Sequence, residues 1–245
     1  MILGGDASLS ISGAHLRLGG HLAYAVCGAR TDGFTGRLRS VNNLVDSFET
    51  VRKARKAKGA PTDGEQDLIR AAVVFAAGGL DIVVKELIRG SLKKLAERDI
   101  DVQSEFEKFA QRQIRGDGTG DISSDPSKFL AKVLVSESPY DSLIERYIYD
   151  LTGSSLQSSE ELFKAAKAMD IEHNFLRQQK RKLNSAFDVR NKIIHELDVD
   201  FESTGIGKRQ RRSRTKAQLT EHSDLLLKVA GQFVSSVEKK LRELT

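Results

Sequence analysis

Residues 66–95, "QDLIRAAVVFAAGGLDIVVKELIRGSLKKL", limit the fold more than any other stretch. From Ala71 to Val84 the residues are apolar almost without interruption, Asp81 excepted. A helix with no polar face must touch neighbours on several sides, so this segment predicts the central helix of a bundle. Thr62 followed three residues later by Glu65 is the spacing of a capping box and sets its start. Gly78 and Gly79 cost helix propensity, which predicts a close backbone approach or a kink there.

The rest of the chain has the same period. From Phe34, the residues Leu38, Val41, Leu44, Val45, Phe48 and Val51 recur at spacings of three and four until Gly59 and Pro61. Asp125-Pro126 and Ser138-Pro139 each read as an N-cap followed by proline at the first helical position. "SSEELFKAAKAMD" begins a short helix after serine caps, and longer helices are expected over about 174–197 and 215–244. No segment alternates with period two. The expected fold class is all-α, a single helical-bundle domain over residues 34–245. Residues 1–33 hold seven glycines without periodicity and read as a flexible arm, and "GDGTGDISSD" at 116–125 reads as a loop.

Cys27 is the lone cysteine, which excludes an internal disulfide framework and a thiolate-rich zinc site, and fits a reducing, cytoplasmic setting. The N-terminus lacks the charged and continuous apolar regions of a signal peptide, and no run approaches the roughly 18–20 apolar residues of a membrane span, so no membrane association is expected. His15, His21, His173 and His222 have no metal-ligand spacing, so neither metal nor cofactor is expected. The net charge of +5 is concentrated in "KRQRRSRTK" at 208–216, within a basic loop at 205–216. Such a patch is the usual footprint of a polyanion. Lys208, Arg209, Arg211, Arg212 and Arg214 are therefore candidate contacts to nucleic-acid phosphates, RNA first and duplex DNA second; a merely solvated loop is the bland alternative. The run contains no aromatic residue for base stacking.

"DVRNKIIHEL" at 188–197 raises a different question. On a helical projection Arg190 falls in the middle of an apolar stripe formed by Leu183, Ala186, Phe187, Ile193, Ile194 and Leu197. An arginine there must snorkel, pair with an acid or face a wet interface, since burying it unpaired costs several kcal/mol. Asp81 or Glu86 on the central helix is the candidate acid. Asn184, Asp188, Asn191 and His195 share the flank beside the stripe, with Asn191 and His195 an i,i+4 pair. Arg190 is about 140° from His195 around the helix, so two copies packed about a two-fold axis would bring these side chains to one cleft more easily than one chain. Read without a partner, His195 is a surface or capping histidine near a helix C-terminus.

"VRNKIIHEL" resembles the Arg-Asn-x-x-x-His signature of the HEPN superfamily, in its RiboL-PSP branch. "AAVVFAAGGLDIVVKELI" is similar to that family's core helix with its acidic residue, and "RTKAQLTEHSDLLLKVAGQFVSSVEKKL" to its closing helix. The resemblance implies a HEPN-like homodimer and a metal-independent endoribonuclease that cleaves RNA, tRNA or mRNA, through attack by the RNA's own 2′-hydroxyl. Arg190 would stabilise charge on the phosphorus oxygens, His195 would move a proton, and Asn191 would bind the phosphate or orient His195. It also implies the effector of a bacterial toxin–antitoxin or phage-defence system, with an antitoxin or other defence-system protein as partner. The alternative is a catalytically silent HEPN-like dimer that binds RNA, nucleotide or a protein through the same cleft. One departure stands out: the tyrosine found two residues past the histidine in the branch silenced by nucleotide attachment is Leu197 here.

Overall fold

Thr62 and Glu65 start the central helix as their spacing predicts: the Glu65 N–H donates to Thr62 Oγ1 at 3.3 Å and the Thr62 N–H to Glu65 Oε2 at 2.8 Å. In the computed structural model, which describes residues 9–11, 14–16, 23–115, 126–201 and 211–244, a short antiparallel pair of strands precedes eight α-helices. The strands are β1 (Leu9–Ile11) and β2 (Ala14–Leu16), with Leu9 opposite Leu16. The helices are α1 (Ala23–Ala54), α2 (Asp63–Arg98), α3 (Ile100–Arg115), α4 (Pro126–Leu134), α5 (Pro139–Thr152), α6 (Ser159–Ala168), α7 (Asn174–Glu196) and α8 (Lys216–Glu243). The all-α fold class is what the sequence predicts.

Three details differ from the sequence reading. Regular structure begins before Phe34, because the strands and the first turns of α1 fall within the expected 1–33 arm. An alanine-bearing segment such as "AYAVCGAR" has helix propensity without needing an apolar stripe, and periodicity is blind to it. The single bundle expected from residue 34 is divided into two compact units, residues 1–83 with 178–232, and residues 84–177 with 233–245. Helices α2, α7 and α8 each contribute a segment to both. Finally, α2 runs through Gly78 and Gly79 without a break, and a Cβ built at Gly78 meets no atom of the described residues within 4 Å. The expected 116–125 loop and the Asp125 cap lie outside the described residues.

In the first unit, Leu38, Val41 and Phe48 of α1, Ile69, Val73 and Leu80 of α2, Leu183 and Phe187 of α7, and Leu226 and Val229 of α8 are buried. Glu65 does more than cap α2. Its nearly inaccessible carboxylate also accepts from Arg52 Nη1 at 3.2 Å and Arg55 Nε at 2.9 Å, tying the end of α1 to the start of α2. The Thr62 N–H, with help from Arg55 and against the opposing effect of burial, holds this carboxyl below its ordinary pKa.

In the second unit, Ser138 caps α5 with Pro139 at its first position, and Ser158 caps α6, as the sequence predicts. Tyr147 of α5 stacks on Phe109 of α3 with centroids 4.6 Å apart, over a core that includes Leu92, Val102, Ile144 and Leu162.

The C-terminal end of α7 depends on a buried ion-pair cluster in the first unit. Leu197 and Asp198 both have positive φ, 51° and 56°, a conformation that costs a non-glycine residue about 1–3 kcal/mol. What holds it is the Asp198 carboxylate, fully buried, which accepts from Arg70 Nε at 3.0 Å and from Arg214 Nε and Nη2 at 2.8 and 2.7 Å. The Asp198 carbonyl accepts from the Arg212 N–H at 2.7 Å, and its own N–H donates to the Lys192 carbonyl at 2.9 Å. Burial pushes the Asp198 carboxyl up, but hydrogen bonds from Arg214 and Arg70 and their charges outweigh it, so the folded pKa is depressed. A depressed carboxyl contributes stability that is present above the unfolded value of about 3.9 and lost as pH falls through the folded value. Asp198→Asn is expected to cost about 3–5 kcal/mol in urea unfolding at pH 7, because it leaves two arginines without their counter-charge. The gap between variant and wild type should narrow as pH drops below about 3.9; a gap independent of pH would show that the carboxylate charge is not what holds the turn.

Candidate functional site

Helix α7 carries the residues singled out in the sequence, and its stripe divides in two. Leu183, Ala186 and Phe187 are buried, whereas Ile193 is half-buried and Ile194 and Leu197 are exposed, at 38% and 65%. Arg190 stands at the transition. Two tie points align α7 antiparallel to α2 within the first unit: Arg70 with Asp198, and Asp81, whose charge acts on Arg190. Phe75 is 54% exposed and Ile82, two turns on, 39%. With Gly78 open between them, α2 here presents an apolar stripe to solvent.

Arg190 is half-buried and incompletely satisfied. Its Nη1 donates to Asn191 Oδ1 at 2.9 Å, while its Nε is buried with no acceptor. Loss of water around the guanidinium lowers its pKa, and the Asp81 carboxylate opposes that loss. Asp81 is one of the two acids proposed, and its charge acts on Arg190. Asn191 was expected to bind phosphate or to orient His195. Its oxygen is instead engaged by Arg190, which leaves the amide nitrogen as its donor face. His195 sits exposed in the last turn of α7, and among the described residues no hydrogen bond or ion pair joins it to Arg190 or Asn191. One chain thus brings together Arg190, Asn191 and Asp81, and leaves His195 apart.

The basic loop is less available than its sequence implies. Arg214 spends its guanidinium on Asp198, Arg211 pairs with Asp67, and Arg212 lies 3.5 Å from Asp200. An antiparallel bridge between Val199 and Arg211 lays the segment back along the turn after α7. Three acids absent from the basic run itself, one of them fully buried, therefore neutralise much of it. Arg214 is corrected from an RNA contact to a structural residue; Arg211 and Arg212 remain partly exposed, and Lys208 and Arg209 lie outside the described residues. The sequence signal for Asp198 was weak, since an acid just past a helix end gives no sign of burial.

Among the described residues, Asp99, Asp101 and Asp170 are the acidic group close enough to share an ion, but Lys240 already bridges Asp99, at 3.0 Å, and Asp170.

The family model described as RiboL-PSP-HEPN matches residues 35–239. The chain belongs to this family. HEPN domains are often ribonucleases and commonly bind RNA. Neither the curated proteins nor the solved structures contain a match to this chain. Among the described residues no helix is long and apolar enough to cross a membrane.

In this HEPN domain the Arg190 Nε is buried without an acceptor, a state that costs about 1–3 kcal/mol. Arg190→Met, which fills the stripe with an apolar chain of similar length, is expected to raise the urea midpoint by the equivalent of about 0.5–2 kcal/mol. A fall in the midpoint would mean that the Asp81 attraction outweighs desolvation, making Arg190 a structural ion pair.

Proposed function

We propose that this protein is a metal-independent endoribonuclease that acts as a two-fold homodimer on RNA, tRNA or mRNA, with Arg190, Asn191 and His195 as its catalytic residues. The observation that carries the reading is the placement of a partly desolvated guanidinium and an exposed imidazole on one helix, with Phe75, Ile82, Ile194 and Leu197 exposed among the described residues. A second copy seated on Phe75, Gly78, Ile82, Ile194 and Leu197 buries that face and brings the partner's α7 against the first.

RNA cleavage by its own 2′-hydroxyl needs a proton removed from that hydroxyl, stabilisation of charge on the phosphorus oxygens, and a proton given to the departing 5′-oxygen. Imidazole accepts and donates protons near neutral pH, so His195 of each chain can serve one of the two transfers. Arg190 has a fixed charge and a forked set of donors suited to the phosphoryl oxygens, and gains strength from being partly dry. Asn191 holds Arg190 in place through its oxygen and offers its amide nitrogen to the phosphate. Asp81 steadies the guanidinium; Glu86 is kept as a second supporting acid. Lys208, Arg209, Arg211 and Arg212 add salt-sensitive attraction to the RNA backbone. A role as effector of a toxin–antitoxin or phage-defence system, in the cytoplasm and with an antitoxin or other defence-system partner, rests on family resemblance alone.

The separation of His195 from Arg190 within one chain favours a second reading, a silent HEPN dimer that binds RNA, nucleotide or a protein partner without cutting. Incubation of 5′-labelled tRNA and mRNA with the protein in excess EDTA separates the two. Cleavage leaving 2′,3′-cyclic phosphate ends, reduced at least about 100-fold in His195→Ala, is expected. Binding without cleavage, unchanged in the variant, would establish the silent module. Gly78→Leu tests the proposed interface: sedimentation should show a dimer in the wild type and a folded monomer in the variant, with cleavage lost along with the dimer.

A further inference from the structure

In the second unit a cleft of about 380 Å³ is lined by Lys128, Phe129 and Lys132 of α4, Ser136 of the connection, and Ser142 and Arg146 of α5. That volume is within the range of small-molecule sites, roughly 300–1,000 Å³. Among the described residues no carboxylate lines it, although three cationic side chains do. This is unlike the treatment of cations elsewhere in the chain, where Arg70, Arg214 and Lys240 each meet an aspartate. Among the described residues neither Lys132 nor Arg146 has an ion-pair partner. The Arg146 guanidinium lies 5.0 Å from the centroid of the Tyr149 ring, which fixes its plane, and its Nε is buried without an acceptor. Ser136 Oγ donates to the Val133 carbonyl at 2.6 Å. The Ser142 hydroxyl has no partner among the described residues and is a further donor. Phe129 and Val133 supply an apolar wall.

A concave site whose polar groups are nearly all donors, two of them, Lys132 and Arg146, charged and without an ion-pair partner among the described residues, lacks the acceptor that would balance it. We propose that this cleft binds a small organic phosphate, its oxygens held by Arg146, Lys132 and Ser142 and its apolar substituent resting on Phe129. Phosphate fits better than a carboxylate because a second negative charge is needed to offset several cations. The site is independent of the nuclease reading, since none of its residues belongs to α7.

Calorimetric titration of the full chain with phenyl phosphate, inorganic phosphate and benzyl alcohol tests the proposal. Phenyl phosphate is expected to bind saturably at one site per chain, inorganic phosphate at least about tenfold more weakly, and benzyl alcohol not at all. Arg146→Gln and Lys132→Gln should each weaken phenyl phosphate at least about tenfold, the loss expected for one charge-assisted hydrogen bond. Lys132 is exposed on α4, so its variant keeps the measurement decisive if Arg146→Gln fails to fold. Absence of saturable binding, equal affinity for inorganic phosphate, or unchanged affinity in the folded variants would overturn the proposal.

Discussion

The pairing of Asp198 with Arg70 and Arg214 is the constraint on which the candidate site depends. A fully buried carboxylate is costly unless its lone pairs are met, and here two guanidiniums meet them from different directions. Arg70 comes from the first third of α2 and Arg214 from the approach to α8, so one carboxylate joins the ends of three helices. Arg70 also donates to the Arg212 carbonyl at 3.0 Å, which secures the backbone of the returning segment. The left-handed turn at Leu197 and Asp198 would be unfavourable without this cluster. With it, α7 stops one residue after His195, and the imidazole sits on a terminal turn whose position is set by buried charge.

A neighbouring charge on α7 works in the opposite sense. Asp198 is buried and satisfied, whereas Arg190 is half-buried and short of an acceptor. The first arrangement stabilises and specifies; the second costs stability and creates a strong, partly dry field at a surface. A fold gains nothing from an arginine in that state, and leucine or methionine would fill the stripe better. The contrast between Arg190 on α7 and Asp198 just past its end separates the residue that shapes that end from the residue whose chemistry needs an outside ligand.

Much of this was legible in the sequence where a signal was local. Thr62 and Glu65, Ser138 with Pro139, and Ser158 set helix starts through contacts within three residues, and all three form as read. The position of Arg190 on the apolar stripe followed from the helical period. The tertiary partners were not legible, because nothing near Asp198 in the chain announces Arg70, 128 residues away. The basic run at 208–216 misled for the same reason: its charges were counted without Asp67, Asp198 and Asp200. Asn191 was expected to bind the phosphate or orient His195; that its oxygen would accept from its own neighbour Arg190 was not visible from spacing alone.

Gly78 connects the fold to the proposed assembly. A glycine in the middle of a long helix lowers propensity by about 1 kcal/mol relative to alanine, a cost usually offset by close approach of another backbone. Among the described residues no atom lies within 4 Å of a Cβ built there. The same helix exposes Phe75 and Ile82, large apolar side chains left to solvent in the part of α2 that is otherwise buried. A partner surface resolves both features at once, since close contact at Gly78 requires the missing Cβ and the flanking phenylalanine and isoleucine supply the apolar area. In a two-fold dimer that surface is the same face of a second copy. The Arg190 of each chain then lies beside an interface from which water is partly excluded, which strengthens its field on a bound phosphate.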